Sequence, residues 1–418
     1  MKNNIIYLFT NSFPFDQQYT ELSFLTNEVD ILTKHFSLTI FPISNCGKVA
    51  YVNNDVTINE SLAYELKQSK KDNFFKKFRA AGSYKYLRYE LVNCNTVHQF
   101  YNLIVNTYQI MNVYRWANNN PGLFEQSRPA ILYTYWNTNI TLGLSYFLEN
   151  KRVSHKLISR AHGADLYYER RRFNPYYSLR LTQLDALYLV SRFGKIYLSN
   201  KFPESKNKYH VSYLGTSNGK HIIHNKAKSD ITIASCSTIN RIKRVDLIYK
   251  SIQLFASNHK EFNIKWRHMG GGPLELKIKY LIKKSDLRNM DVEITGIILN
   301  KDIHKYYRNN YVDCFINTSK TEGLPVAIME SQSYGIPTIA PRVGGIPEIV
   351  NSQNGILVDA RGDVQEISSA IERIILNKDL RQKLSRNAYQ NWKENFNADK
   401  NYKNFANCLY KMLNAEIY

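Results

Sequence analysis

Cysteine is scarce in this chain of 418 residues and poorly placed for cross-linking. The five thiols (Cys46, Cys94, Cys236, Cys314, Cys408) are scattered, odd in number and never spaced C-x-x-C. That argues against a disulfide framework and a zinc site, and for a reducing compartment. No uninterrupted apolar run reaches membrane-spanning length. The best candidate, residues 131–148, is broken by Asn137, Thr138, Asn139 and Thr141, which reads as strand, loop and helix. Met1-Lys2-Asn3-Asn4 leads directly into a strand-length apolar run, without the long h-region of a signal peptide. There is no G-x-G-x-x-G after the first strand, which disfavours a dinucleotide site there. There is no short internal repeat. Acids are also few: 35 Asp and Glu against 56 Lys and Arg, a net charge of +21. Such a chain attracts polyanions, whether nucleic acid, acidic lipid headgroups or nucleotide phosphates, and charge alone does not choose among them.

The length predicts about two domains, each able to bury a core. Short apolar runs bounded by loops recur throughout and read as buried parallel strands. In the first half they fall at residues 5–10, 36–41, 130–135, 156–160, 186–191 and 210–216. The loop Asn11-Ser12-Phe13-Pro14-Phe15 follows the first, and a helix through Glu21, Phe24, Leu25, Glu28 and Leu32 follows the loop. Ala161-His162-Gly163-Ala164-Asp165 follows the fourth run, placing a His and an Asp at a strand's carboxyl end, where α/β sheets bind ligands. His162 suits a sugar hydroxyl. Asp165 either orients it or faces an acceptor. A polar, lysine-rich segment, residues 217–228, reads as an interdomain linker.

The second half opens with a strand at 231–237. The loop Thr238-Ile239-Asn240-Arg241-Ile242-Lys243-Arg244 leads from it into a helix near Val245. Lys243 therefore sits beside a helix amino terminus, as a point charge for phosphate. The strand at 264–269 ends in Gly270-Gly271-Gly272, and the strand at 292–296 ends at Gly296, which suits a nucleobase lying against it. The densest stretch runs from Thr321-Glu322-Gly323-Leu324-Pro325 through Glu330 to Gly344-Gly345-Ile346-Pro347-Glu348. It follows a strand at 312–317. Pro325 suits the first turn of a helix and Gly335 its end. Glu330 then lies on a helix face with Val326, Ala327 and Tyr334. An ionised carboxylate on an apolar face accepts hydrogen bonds only, which suits the vicinal hydroxyls of a ribose. Glu322 suits a second sugar, and Gly344-Gly345 before a helix suits a phosphate.

This stretch resembles the donor signature of family 4 glycosyltransferases of the GT-B fold: Glu-Gly, a seven-residue gap, a second Glu, then Gly-Gly-x-Pro-Glu. The resemblance covers nearly the whole chain and is strongest over residues 231–355. It implies two Rossmann-like domains facing a central cleft: an acceptor-binding domain over 1–216, a nucleotide-sugar-binding domain over 217–395 and a final helix, 396–418, crossing back onto the first. It implies that Glu330 holds the nucleotide ribose, that Glu322 contacts the transferred sugar and that His162 contacts the donor sugar. Gly323, Leu324, Pro325, Thr238, Arg241, Gly270, Gly296, Gly344 and Gly345 fall on the donor side. Phe13 and Asp165 fall on the acceptor side. The family's loop after the first strand of this domain reads Gly-Arg with a Lys further on, both cations neutralising the leaving diphosphate. Here Lys243 matches, Ser237-Thr238 replaces Gly-Arg, and Arg241 or Arg342 is left as a substitute. The Phe-Pro-Phe loop with Glu21 resembles a subset of the family that lacks a glycine-rich first loop.

The implied reaction is a retaining transfer of a hexose or N-acetylhexosamine from a nucleotide diphosphate sugar, a UDP-sugar foremost, to a glycan hydroxyl. No unambiguous carboxylate nucleophile appears, which favours a front-face route. The absence of Asp-x-Asp near the nucleotide loops agrees with the metal independence usual for the fold, so no cofactor is expected. Residues 67–88 hold Lys67, Lys70, Lys71, Lys76, Lys77, Arg79, Lys85 and Arg88 against Asp72, with Phe74, Phe75 and Phe78 at helical spacing. That is the pattern of an interfacial membrane helix, or of a solvated helix packing its aromatics on the core. The first alternative suits a lipid-linked acceptor in capsule, exopolysaccharide or lipopolysaccharide synthesis, at the inner face of a bacterial membrane. Two other readings stay open beside a sugar epimerase on the same fold, which the His-Gly-x-Asp loop and the Glu pair disfavour. One is a catalytically silent scaffold partnering an active enzyme. The other is a basic nucleic-acid-binding protein, which the loop glutamates and the lack of a recognised motif disfavour.

Overall fold

A computed structural model describes residues 4–15, 21–124, 129–151, 153–170, 173–217, 219 and 229–414. The chain divides into two compact units. One runs to Ser212 and takes back the chain from Tyr402 onward, and the other is Tyr213–Asn401. The linker expected over 217–228 lies outside the described residues apart from 217 and 219.

The first unit is built on β1 (Ile5–Thr10), β2 (Ser37–Pro42), β3 (Val56–Ile58), β4 (Ile131–Thr134), β5 (Lys156–Ala161), β6 (Ala186–Leu189) and β7 (Tyr209–Val211). They form one parallel sheet in the order β3-β2-β1-β4-β5-β6-β7. The alternation of β1 shows why these strands read as continuous apolar runs. Tyr7 and Phe9 enter one core cluster, whereas Ile6 and Leu8 enter another on the opposite face. A sheet covered on both faces needs apolar side chains at both phases of the pleat. The second cluster includes Phe405, Ala406, Leu409 and Leu413 of the final helix, Ala398–Asn414, against Leu25, Val29 and Leu32. Within it, Arg160 and Glu28 form an ion pair at 3.3 Å with both side chains fully buried. Arg160 also donates to the Tyr133 hydroxyl at 2.8 Å and lies over the Phe405 ring.

The second unit holds β8 (Asp230–Cys236), β9 (Asn263–Met269), β10 (Met290–Ile294), β11 (Cys314–Ile316), β12 (Thr338–Pro341) and β13 (Gly355–Val358). All pair in parallel, in the order β10-β9-β8-β11-β12-β13. The order reverses direction between β8 and β11, which makes the carboxyl ends of those two strands the switch point where such sheets bind ligands. Both β8 and β11 run directly into the loops that carry Lys243 and Glu322. After β11 the helix Val326–Gln332 starts beyond Pro325, and the chain turns out of it at Gly335, whose φ of 73° is the left-handed conformation a glycine adopts without strain.

Residues 67–88 do not form the single helix expected. They fall in three short ones, Ser61–Ser69, Phe74–Ala81 and Leu87–Leu91. The Asn73 side chain accepts from the Lys76 N–H and opens the second afresh, and Gly82 closes it. Phe74 stacks on Tyr101 and Phe78 meets Phe100, both on the long helix Val97–Asn119, while Phe75 is 83% exposed. Phe74 and Phe78 thus pack on a neighbouring helix while remaining 37 and 48% exposed, and Phe75 projects from the surface.

Candidate active site

In the second unit three loops meet at the switch point. The loop after β8 is shaped by Asn240, whose side-chain oxygen accepts from the N–H groups of Ile242 and Lys243. It is tied to the loop after β11, since the Thr318 hydroxyl donates to the Lys243 and Arg244 carbonyls and the Lys320 N–H to the Ile242 carbonyl. These bonds bring Lys243 to Glu322: Nζ lies 2.5 Å from Oε1. The ammonium is partly exposed and the carboxylate nearly buried, so the pair is open to exchange with an incoming anion.

Glu330 is buried on the helix Val326–Gln332 and accepts from the Asn300 amide at 2.5 Å. His304 Nε2 lies 3.9 Å away, and its Nδ1 is 3.1 Å from the Tyr334 hydroxyl. Burial raises the Glu330 carboxyl to about 7, against the pull of Asn300. Burial, aided by Arg308, lowers His304 to about 4, so this imidazole is neutral at physiological pH. Asn300 and His304 stand one turn apart on the helix Asn300–Asn309, and sequence reasoning missed both. Their i, i+4 spacing on a strongly amphipathic helix was the available signal.

The remaining donor-side residues divide. Gly323 and Gly345 join their loops directly, the Gly345 N–H donating to the Gly323 carbonyl at 3.0 Å. Leu324 and Pro325 are buried beneath them. For Gly345 alone this corrects the expectation that the Gly344-Gly345 turn offers its N–H groups to a phosphate. The Gly345 and Ile346 N–H groups are engaged within the unit, and the helix Ile346–Ile349 is a single turn. Gly270 is glycine for a packing reason, because a Cβ at its φ of 144° would stand 2.1 Å from the Ser237 carbonyl oxygen. Gly296 pairs with Gly270 in an isolated bridge. Thr238, Arg241 and Arg342 are exposed. Arg241 is not brought to Lys243. It lines a separate open hollow of about 400 Å³ with Arg244, Lys250, Lys277, Lys320 and Asp246.

In the first unit His162 and Asp165 do come together, but by the backbone. Asp165 accepts from the His162 N–H at 2.6 Å and from the Asn137 N–H at 2.9 Å. It therefore neither orients the imidazole nor faces outward, which corrects both alternatives. Burial raises its carboxyl to about 7 despite those two donors. The His162 ring lies against Trp136 and Tyr135, with centroids 4.3 and 4.7 Å away. Both ring nitrogens are buried without a hydrogen-bond partner among the described residues. Burial, with the Arg160 charge, holds the imidazole well below its ordinary pKa and thus neutral. Phe13 is corrected too. Its ring is fully buried against Tyr51 and offers no face to an acceptor. The loop it belongs to is held by Glu21, which accepts from the N–H groups of Asn11, Ser12 and Phe13 at 3.0, 2.6 and 2.8 Å.

Residues 218–391, nearly all of the second unit, match the family model described as glycosyl transferases group 1. CapJ of Staphylococcus aureus is 31% identical over 202 residues, 47% of this chain and 48% of CapJ. The amylovoran biosynthesis glycosyltransferase AmsK of Erwinia amylovora is 30% identical over 112 residues, 25% of this chain and 27% of AmsK. The chain thus matches less than half the length of these curated relatives. Over nearly the full length, the crystal structure of HepE of Anabaena in complex with UDP and glucose superimposes with a TM-score of 0.62 at 15% identity, covering 97% of this chain and 99% of HepE. Over residues 218–391 the chain is thus similar to the glycosyl transferases group 1, and its architecture is the GT-B fold.

Proposed function

We propose that this chain is a retaining glycosyltransferase that moves a hexose or N-acetylhexosamine from a UDP-sugar to a glycan hydroxyl in bacterial surface-polysaccharide synthesis. The observation that carries the reading is the pairing of Lys243 with Glu322, with the buried Glu330 on the helix that follows the Glu322 loop. One cation and two carboxylates at a switch point match what a nucleotide sugar presents: an anionic diphosphate and two sets of hydroxyls. In this reading the diphosphate draws Lys243 from Glu322. The freed carboxylate accepts hydroxyls of the transferred sugar, and Glu330 accepts those of the ribose. As the bond from the anomeric carbon to the diphosphate oxygen breaks, the electron pair goes to the diphosphate. Lys243 stabilises it there and the anomeric carbon gains oxocarbenium character. The acceptor hydroxyl attacks from the same face and gives its proton to the departing phosphate oxygen. No metal enters this scheme.

The acceptor is proposed to be lipid-linked. Phe75, Val92 and Val97 are 83, 80 and 86% exposed beside Lys70, Lys71, Lys77, Arg79 and Arg88, a surface suited to an acidic membrane. Among the described residues no helix is long and apolar enough to cross a membrane, so the proposed contact is peripheral, at the cytoplasmic face.

The test is thermal stabilisation by a panel of nucleotides and nucleotide sugars, repeated with Glu330→Ala. Selective stabilisation by uridine diphosphates, lost in the variant, is the expected result. Stabilisation that survives in the variant removes Glu330 from the site. No stabilisation by any nucleotide overturns the transferase reading and favours a silent scaffold.

A further inference from the structure

Trp136 stands apart from the other tryptophans. Trp116, Trp266 and Trp392 are 2, 0 and 4% exposed, whereas Trp136, just beyond the carboxyl end of β4, is only partly buried. An indole ordinarily directs its N–H to water or to a carbonyl. Here the N–H is donated to the Glu21 carboxylate, itself 3% exposed. The other Glu21 oxygen takes the Ser12 and Phe13 N–H groups, so the carboxylate has little freedom to follow the indole if it moves. The backbone on either side of Trp136 is equally fixed. The Tyr135 N–H donates to the Phe9 carbonyl and the Asn137 N–H to Asp165. Tyr135 meets the indole edge-on at 5.7 Å and His162 lies on it at 4.3 Å.

A large ring held by its polar edge, packed against Tyr135 and His162 and still partly accessible, is preorganised for a ligand. A flat apolar face fits the C–H face of a pyranose. The polar edge, already engaged with Glu21, does not compete for the sugar's hydroxyls. We propose that Trp136, clamped by Glu21, is a sugar-binding platform of the first unit. Glu21 acts as a positioning residue and does not touch the sugar. The inference rests on the transferase reading for its biological setting, but not for its test. The same ring suits the sugar of the donor or that of the acceptor.

Because the other three tryptophans are buried, quenching by acrylamide reports mainly on Trp136, and the difference in emission between wild type and Trp136→Phe isolates its signal. Methyl α-glucopyranoside and methyl N-acetyl-α-glucosaminide would be titrated as acceptor-like probes, and UDP-glucose, UDP-N-acetylglucosamine and UDP alone as donor-side probes. At least one sugar-bearing probe is expected to shift the emission and shield it from acrylamide, while UDP alone does not. A response to the methyl glycosides assigns the platform to the acceptor, and a response confined to the nucleotide sugars assigns it to the donor. Calorimetry on Trp136→Ala should then show binding of the responsive sugar about tenfold weaker, with UDP binding unchanged. Trp136→Phe keeps the packing and tests the ring without risk to the fold. Glu21→Gln should weaken sugar binding severalfold and raise acrylamide access to the indole. Silent emission with every sugar, or wild-type affinity in both Trp136 variants, overturns the proposal. If UDP fails to bind the wild-type protein while the emission answers a methyl glycoside, the transferase reading falls and the platform stands.

Discussion

Glu21 and Asp165 in the first unit and Glu322 and Glu330 in the second are all nearly buried carboxylates beside the carboxyl ends of parallel strands. Their partners differ. Glu21 accepts three backbone N–H groups and an indole N–H, and Asp165 accepts two backbone N–H groups. Glu322 takes the Lys243 ammonium and Glu330 the Asn300 amide, both on side chains. A carboxylate bound to backbone N–H groups is part of the loop, and removing it leaves buried donors with nothing to accept them. A carboxylate bound to a side chain on another loop can exchange that partner for a ligand by one rotamer change. The first kind holds its own loop in shape, and the second holds a partner that a ligand could replace.

The largest expected effect comes from breaking the first kind. Glu21→Ala strands the Ser12 and Phe13 N–H groups in a buried loop and should cost roughly 4 kcal/mol of stability by urea denaturation, from the typical range for charge-assisted and unsatisfied groups. A loss below about 1 kcal/mol would place Glu21 with the exchangeable carboxylates and dissolve the contrast.

Glu330 tests the second kind through pH. Its folded-state pKa, about 7, lies above its ordinary value of 4.5, so the unfolded chain ionises first. The stability this group contributes is whole below pH 4.5 and is lost as pH rises to about 7. Glu330→Gln removes the titration, so relative to wild type the variant should gain up to roughly 3 kcal/mol between pH 4 and pH 8. Nucleotide affinity should move the other way, strengthening in the wild type as pH rises through about 7 and the carboxylate ionises. Urea curves and nucleotide titrations at the two pH values measure both. A flat difference between variant and wild type would show that Glu330 is already ionised in the folded protein.

A somewhat smaller effect should attend Lys243→Ala, because its pair with Glu322 is partly exposed and contributes little to folding. Stability should change by less than about 1 kcal/mol, while turnover with a nucleotide sugar falls on the order of a hundredfold, about 2.7 kcal/mol of lost transition-state stabilisation. Turnover left intact would sink the diphosphate role.

How much of this was legible in the sequence follows from the same contrast. Strands buried on both faces announce themselves as apolar runs, so β1, β2, β4–β6 and β8–β11 were readable. The three-residue edge strand β3 offers too little pattern, and β13 begins at a glycine. The 23-residue helix Val97–Asn119 was missed because its buried positions, among them Thr107 and Asn112, spread over more than one face and include polar side chains. Glu322, Glu330, Lys243 and His162 could be singled out as candidates because their spacing on local elements carries information. Their partners were not found. Asn300 lies thirty residues from Glu330 in the chain, and the Glu21–Trp136 bond spans 115. Asp165 was misjudged for a local reason. As the third residue of the helix Gly163–Leu166 it accepts from the N–H of His162 at the N-cap, a capping bond within one turn that the spacing already carried.

The smallest predicted effect decides whether the missing arginine of the diphosphate loop has been replaced. Arg241 has an exposed side chain and lines a hollow that contains none of Lys243, Glu322 and Glu330. Its neighbour Arg244 is committed elsewhere: at φ 49° it donates through Nε to the Thr318 carbonyl at 2.6 Å. Lys243 is then the one cation of this loop paired with a site carboxylate. Arg241→Ala should accordingly change nucleotide affinity by less than about twofold, under 0.5 kcal/mol, with stability unaffected. A loss near tenfold would mean that the loop rearranges on binding and delivers Arg241 to the diphosphate, so that its partners in the unliganded protein do not report its role.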